Sequence, residues 1–208
     1  MTENRAPVIG DVDFTMMYVG HDAFIRDLRR MAAAVEAGAI TPSVRTGWAM
    51  FAHQLHVHHT AEDEALWPPL RAKVEAADED AVLDQMELEH AALEPLLERI
   101  DRALADRDDV GLREPVGALR AGLTAHMRHE EDAALPLVAK HLGPDGWRAF
   151  GQHFRTTQGL RGAVGFFPWL LDDTPAPTEA HVLKIVPPPV RLLYRAVWKP
   201  RYQRAPRW

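Results

Sequence analysis

Residues 58–70 read His58-His59-Thr60-Ala61-Glu62-Asp63-Glu64-Ala65-Leu66-Trp67-Pro68-Pro69-Leu70, and residues 126–138 read His126-Met127-Arg128-His129-Glu130-Glu131-Asp132-Ala133-Ala134-Leu135-Pro136-Leu137-Val138. Both are one phrase: a histidine, a glutamate four residues on, further acids, then Ala-x-apolar-Pro. A second pair repeats around them. His21 precedes Phe24, Leu28, Arg30 and Met31, while His90 precedes Leu93, Leu97, Arg99 and Ile100 at the same spacings. The offset is 69 residues for His21 to His90 and 68 for His58 to His126. Two independent pairs at nearly one offset describe a duplicated helix pair. Each copy brings one histidine on its first helix and a His/Glu pair on its second, the pattern of a two-metal site inside a four-helix bundle.

The apolar spacing supports four long helices. The first runs from about Asp13 to Glu36, with Met17, His21, Phe24, Leu28, Met31 and Val35 on one stripe, and stops near Gly38. The second starts at Thr41-Pro42, an N-cap followed by proline at the first helical position. Its stripe is Trp48, Phe51, Leu55, His58, Glu62 and Leu66. The third covers about Glu79 to Leu104, with Leu83, Met86, His90, Leu93/Glu94, Leu97 and Ile100. The fourth covers about Gly111 to Leu142, with Val116, Leu119, Leu123, His126, Glu130 and Leu137, and ends at Gly143-Pro144. Pro68, Pro95 and Pro136 fall inside these segments and predict kinks. No run of period-two alternation stands out, so the chain reads as all-α: an up-down bundle over residues 11–142 and a helical, proline-rich extension over 143–208.

On these stripes His21, His58, Glu62, His90, Glu94, His126 and Glu130 project inward. Residues four apart on a helix share a face. An unpaired carboxylate in such a core is very costly, and no lysine or arginine occupies the stripes. Bound cations are the simplest compensation. With no cysteine in the chain, any metal must use histidine and carboxylate ligands. His53, His56, His59 and His129 fall off the main stripe, which assigns them surface or ligand-orienting roles. Asp63, Glu64, Glu131 and Asp132 are expected in solvent. Tyr18, one turn before His21, is either core or a group that approaches the metals. His153 and His181 read as incidental.

Charge is unevenly spread. Residues 1–142 carry 14 Lys/Arg against 26 Asp/Glu, a balance of −12, and residues 143–208 carry 10 against 4, a balance of +6. An acidic bundle discourages nucleic-acid binding. Residues 191–208 hold six bases (Arg191, Arg195, Lys199, Arg201, Arg204, Arg207) and no acid. That tail either packs on the bundle and caps the site or meets a membrane surface or an acidic partner. Met1 to Asp13 lack a basic stretch followed by an apolar run, and no apolar stretch approaches membrane-spanning length. The expected compartment is the cytoplasm.

The ligand order, the spacing and the acid-rich, proline-ended tails over about residues 14–142 resemble the hemerythrin-like (HHE cation-binding) domain. The resemblance implies an up-down four-helix bundle with two non-haem iron ions, oxo- or hydroxo-bridged. It implies that Glu62 and Glu130 bridge them, that His21 and His58 serve one ion, and that His90, Glu94 and His126 serve the other. The repeat selects Glu130 over Glu131, since Glu130 aligns with Glu62. Oxygen-carrying hemerythrins place a histidine where this chain has Glu94. A carboxylate there would add a hard anionic ligand, favour ferric iron and lower the reduction potential. The expected chemistry is therefore redox reaction with O2, peroxide or nitric oxide. The other reading is a sensing or iron-binding module without turnover.

Overall fold

The structure, a computed structural model, describes residues 7–208; the start of the stretch read above for a targeting signal lies outside them. The chain enters through a two-residue hairpin. β1 (Val8–Ile9) and β2 (Val12–Asp13) pair antiparallel, with Gly10 at φ 61° in the turn. Four long helices follow: α1 (Thr15–Glu36), α2 (Pro42–Ala65), α4 (Ala77–Asp106) and α5 (Arg113–His129). A short α3 (Trp67–Arg71) sits between the second and third. Thr41 caps α2 by accepting from the Val44 amide, with Pro42 at the first helical position. α1 packs on α2 and α5, and α4 packs on α5 and α2, which closes a four-membered ring.

The core has two apolar halves. One holds Phe24, Leu28, Leu55, Leu93, Leu97 and Leu123. The other holds Met17, Leu66, Leu83, Met86 and Ala134. α1 runs from the second half (Met17) through His21 into the first (Phe24). α2 runs the opposite way, from Leu55 through His58 and Glu62 to Leu66. α4 repeats the sense of α1, from Met86 through His90 to Leu93, and α5 repeats that of α2, from Leu123 through His126 and Glu130 to Ala134. The directions alternate, so the bundle is up-down, and its histidines and glutamates form one polar layer between two apolar plugs.

The prolines act on the helices in two ways. α4 continues through Pro95 without a break, whereas Pro68 follows the end of α2 and starts α3. Elsewhere the chain widens into π-helical turns at Glu130–Ala134, Val138–Leu142 and Tyr194–Trp198. Each closes with an amide bonding five residues back, from Leu135 to Glu130, Gly143 to Val138 and Lys199 to Tyr194. Each of those amides belongs to the residue before a proline. Proline has no amide to give its i−4 carbonyl, and its ring crowds that carbonyl. A wider turn just before it relieves both problems.

The bundle ends with α6 (Leu135–Leu137) between the first two π turns, and the extension begins with α7 (Gly143–Leu170), which bends where Gly159 takes φ 60°. It continues through α8 (Ala176–Ile185), α9 (Pro188–Leu193) and α10 (Lys199–Arg204). α7 packs against α1 and α2. The Trp169 indole donates to buried Asp27 at 2.8 Å, while Arg26 and Arg30 of α1 reach Asp172 at 2.7 Å each. The C-terminus returns to α2, where the Trp208 amide donates to the Ser43 carbonyl at 3.2 Å and its ring lies over Gly47. A side chain at 47 would overlap that ring. Gly47→Ala is expected to expel Trp208 and cost about 1–3 kcal/mol. The check is faster tryptic cleavage at Arg204 and Arg207 with the bundle's helical signal intact.

Candidate metal centre

The polar layer gathers seven buried side chains in two groups. His21, His58, Glu62 and Glu130 form one and His59, His90 and His126 the other, with potential ligand atoms within 4.8 Å of one another in each. α1 supplies His21, α2 supplies His58, His59 and Glu62, and α4 supplies His90. His126 stands near the end of α5 and Glu130 opens the first π turn. The groups adjoin through Glu62, which places one oxygen 3.2 Å from His58 Nε2 and the other 3.6 Å from His90 Nε2.

The duplication is visible in the contacts. His21 Nδ1 meets Glu131 at 2.8 Å, and His90 Nδ1 meets Asp63 at 2.9 Å. Each acid directly follows the layer's glutamate in the opposite copy. His126 Nδ1 meets Glu89 at 2.8 Å, and the second oxygen of Glu89 takes His129 Nδ1 at 2.8 Å. A carboxylate beside Nδ1 fixes the proton there and turns the Nε2 lone pair inward.

Those inward lone pairs lack protons to share. His90 Nε2 and His126 Nε2 face each other at 3.1 Å, and His21 Nε2 stands 3.1 Å from a Glu130 oxygen. His21 Nε2, His58 Nε2, both nitrogens of His59 and both oxygens of Glu62 and Glu130 are buried without a hydrogen-bond partner. Acceptors facing acceptors in a dry layer require positive charge between them. A proton supplies part of it. Burial disfavours charge on His21, but Glu130 and Glu131 outweigh burial and lift it to about 9. Burial, then the charge of Glu130, holds Glu62 well above the usual carboxylate range. Burial also opposes ionisation of Glu130, yet His21 beside it brings it down to about 2. Burial and neighbouring imidazoles depress His58 and His59, and burial above all depresses His126, which keeps their lone pairs free. Imidazole nitrogens and hard carboxylate oxygens converging in this way suit a divalent or trivalent transition metal.

The structure brings together His21, His58, Glu62, His90, His126 and Glu130 from the sequence reading. It corrects two other expectations. Glu94 is exposed, because the buried stripe of α4 steps from His90 to Leu93, Leu97 and Ile100. His59, assigned from sequence to the surface or to orienting a ligand, is buried in the layer and stacked on His90 at 3.9 Å between ring centroids. α2 packs against both α1 and α4. Adjacent residues on a helix point about 100° apart, so His58 meets His21 while His59 meets His90. Asp63 is exposed, as expected, yet also bonds His90, whereas Glu131, expected in solvent, is partly buried against His21, and Glu89 was not singled out at all. His53 and His56 are exposed, and Tyr18 is partly buried against the core. His153 lies 3.7 Å from Glu64 and His181 3.1 Å from Asp13, away from the layer.

The sequence profile of the hemerythrin HHE cation binding domain matches residues 13–138, which span all seven side chains of the layer. No curated protein and no solved structure matches the chain. With more than half of its length covered by that match, and with a His/Glu layer able to hold metal, the chain belongs to the hemerythrin HHE cation-binding domain family.

Proposed function

We propose that the layer holds two iron ions and that the protein carries out redox chemistry with O2, peroxide or nitric oxide. The observation that carries the reading is the convergence of five imidazoles and two carboxylates from four helices in one buried layer, with His21 Nε2, His58 Nε2, both nitrogens of His59 and all four oxygens of Glu62 and Glu130 left without a hydrogen-bond partner. His59, His90 and His126 would hold one ion, and His21 and His58 the other. Glu62 and Glu130 would serve both, as the two-sided approach of Glu62 to His58 and His90 suggests.

The two halves are unequal in a way that bears on reactivity. The repeat that aligns His58 with His126 also aligns His59 with Met127, a buried apolar side chain. It aligns Glu89 with Gly20, where a Cβ would meet nothing within 4 Å. The His21/His58 side thus has one imidazole fewer, and the residue in the place of Glu89 leaves space open. A small oxidant would approach on this side. Two iron ions would supply the electrons. Met127 keeps that side free of a further ligand, while Asp63, Glu89 and Glu131 hold protons on Nδ1 of three histidines. Carboxylate-backed imidazoles are more basic donors and favour the higher oxidation state. That support replaces the argument from Glu94, which lies outside the layer.

Three outcomes test this reading. His59→Ala is expected to lower bound iron per chain by metal analysis, while Glu94→Ala keeps the wild-type stoichiometry; the reverse result would return Glu94 to the site. In the metal-free protein His21, raised to about 9, holds its second proton near neutral pH. Metal must displace it, so affinity should rise with pH until His21 titrates near 9. At pH 7 loading should release about one proton from His21, and the raised Glu62 carboxyl adds to the release as pH falls, measured by calorimetry in buffers of different ionisation enthalpy. Finally, the iron-loaded, reduced protein exposed to O2 and then stripped of gas should stay in an oxidised, diferric spectrum. A band that disappears on stripping would identify a carrier and refute the redox reading.

A further inference from the structure

The six bases of residues 191–208 divide into two sets. Arg191 donates to the carbonyls of Lys184 and Val186, Lys199 to Glu179, and Arg207 to the carbonyls of Tyr202 and Ala205. These three tie the extension together. Arg195, Arg201 and Arg204 are exposed and make no ion pair among the described residues. The aromatic side chains divide in step. Tyr194, Trp198 and Tyr202, four residues apart, pack against the main core. The π turn at Tyr194–Trp198 keeps that spacing on one face, since it takes more residues per turn than an α-helix. Leu192 (68% exposed), Leu193 (46%) and Val197 (49%) point to solvent from the same segment, with Ile185 (53%) close before it in sequence.

We propose that this outer face of residues 185–204 is a docking surface for an anionic lipid membrane, on which the protein lies without spanning it. The helix presents aliphatic side chains to enter the headgroup region and unpaired arginines to meet lipid phosphates. Charge separation within the chain gives an orientation. Residues 1–142 carry −12 and residues 143–208 carry +6, so an anionic plane attracts the tail and repels the bundle. Among the described residues no helix is long and apolar enough to cross a membrane, which leaves an interfacial attachment. The basis is the exposed stripe and its free bases, independent of the metal centre.

The test uses the full chain and co-sedimentation with vesicles of phosphatidylglycerol and phosphatidylcholine, against vesicles of phosphatidylcholine alone. Binding is expected to the anionic vesicles, weakening at high salt as screening shortens the reach of the arginines. The triple variant Arg195→Glu, Arg201→Glu, Arg204→Glu should bind on the order of 100-fold more weakly. Leu193→Asp with Val197→Asp should abolish binding, while Val110→Asp, at an exposed apolar position elsewhere, should bind as wild type. Helical signal and melting temperature confirm that the variants fold. Absent binding, equal binding to neutral vesicles, or unchanged binding of both stripe variants overturns the proposal. So does concentration-dependent self-association that Leu193→Asp removes while vesicles are ignored, which would assign the face to a second copy of the chain.

Discussion

A layer of buried acceptors that face one another without protons between them is the constraint on which this molecule turns. His90 and His126 oppose lone pairs at 3.1 Å, and two glutamates lie fully buried beside them. Such a layer would split an ordinary core. Here apolar plugs close both ends and keep the layer dry, and carboxylates outside it fix the proton on the outer nitrogen of His21, His90 and His126. The same arrangement that makes the layer costly to bury suits it to hold cations.

Duplication built the layer, and departures from symmetry give it direction. Glu131 backs His21 and Asp63 backs His90, each from the opposite copy. Glu89 and His59 have no such counterparts. Their equivalents, Gly20 and Met127, leave one half with fewer donors. A symmetric centre would offer no preferred side to an incoming molecule.

The extension is fastened by buried polar contacts as well as by apolar ones. Trp169 joins it to Asp27, which Arg26 and Arg30 also clamp. Phe24 lies between Trp169 and the metal-layer histidine His58, at ring-centroid distances of 5.0 and 5.3 Å. The extension therefore supports the apolar plug beside the layer. Its basic residues do not all serve that purpose: Arg195, Arg201 and Arg204 stay in solvent.

The all-α class, the four helix positions, the Thr41 cap and six of the layer's seven side chains were legible from the sequence, because they rest on periodicity and on a repeat that local chemistry enforces. The exchange of Glu94 for His59 was not legible. One inward stripe per helix is an adequate guide where a helix faces one direction, but α2 faces two partners, and only their packing makes adjacent histidines serve different halves. At α4 the stripe steps by three after His90, and Leu93 rather than Glu94 takes the inward place. Asp63 and Glu131 read as solvated acids, and Glu89 as nothing in particular, until neighbouring helices bring histidines to them. Sequence determined which chemistry the core must accommodate; the angles at which the helices meet decided which side chains perform it.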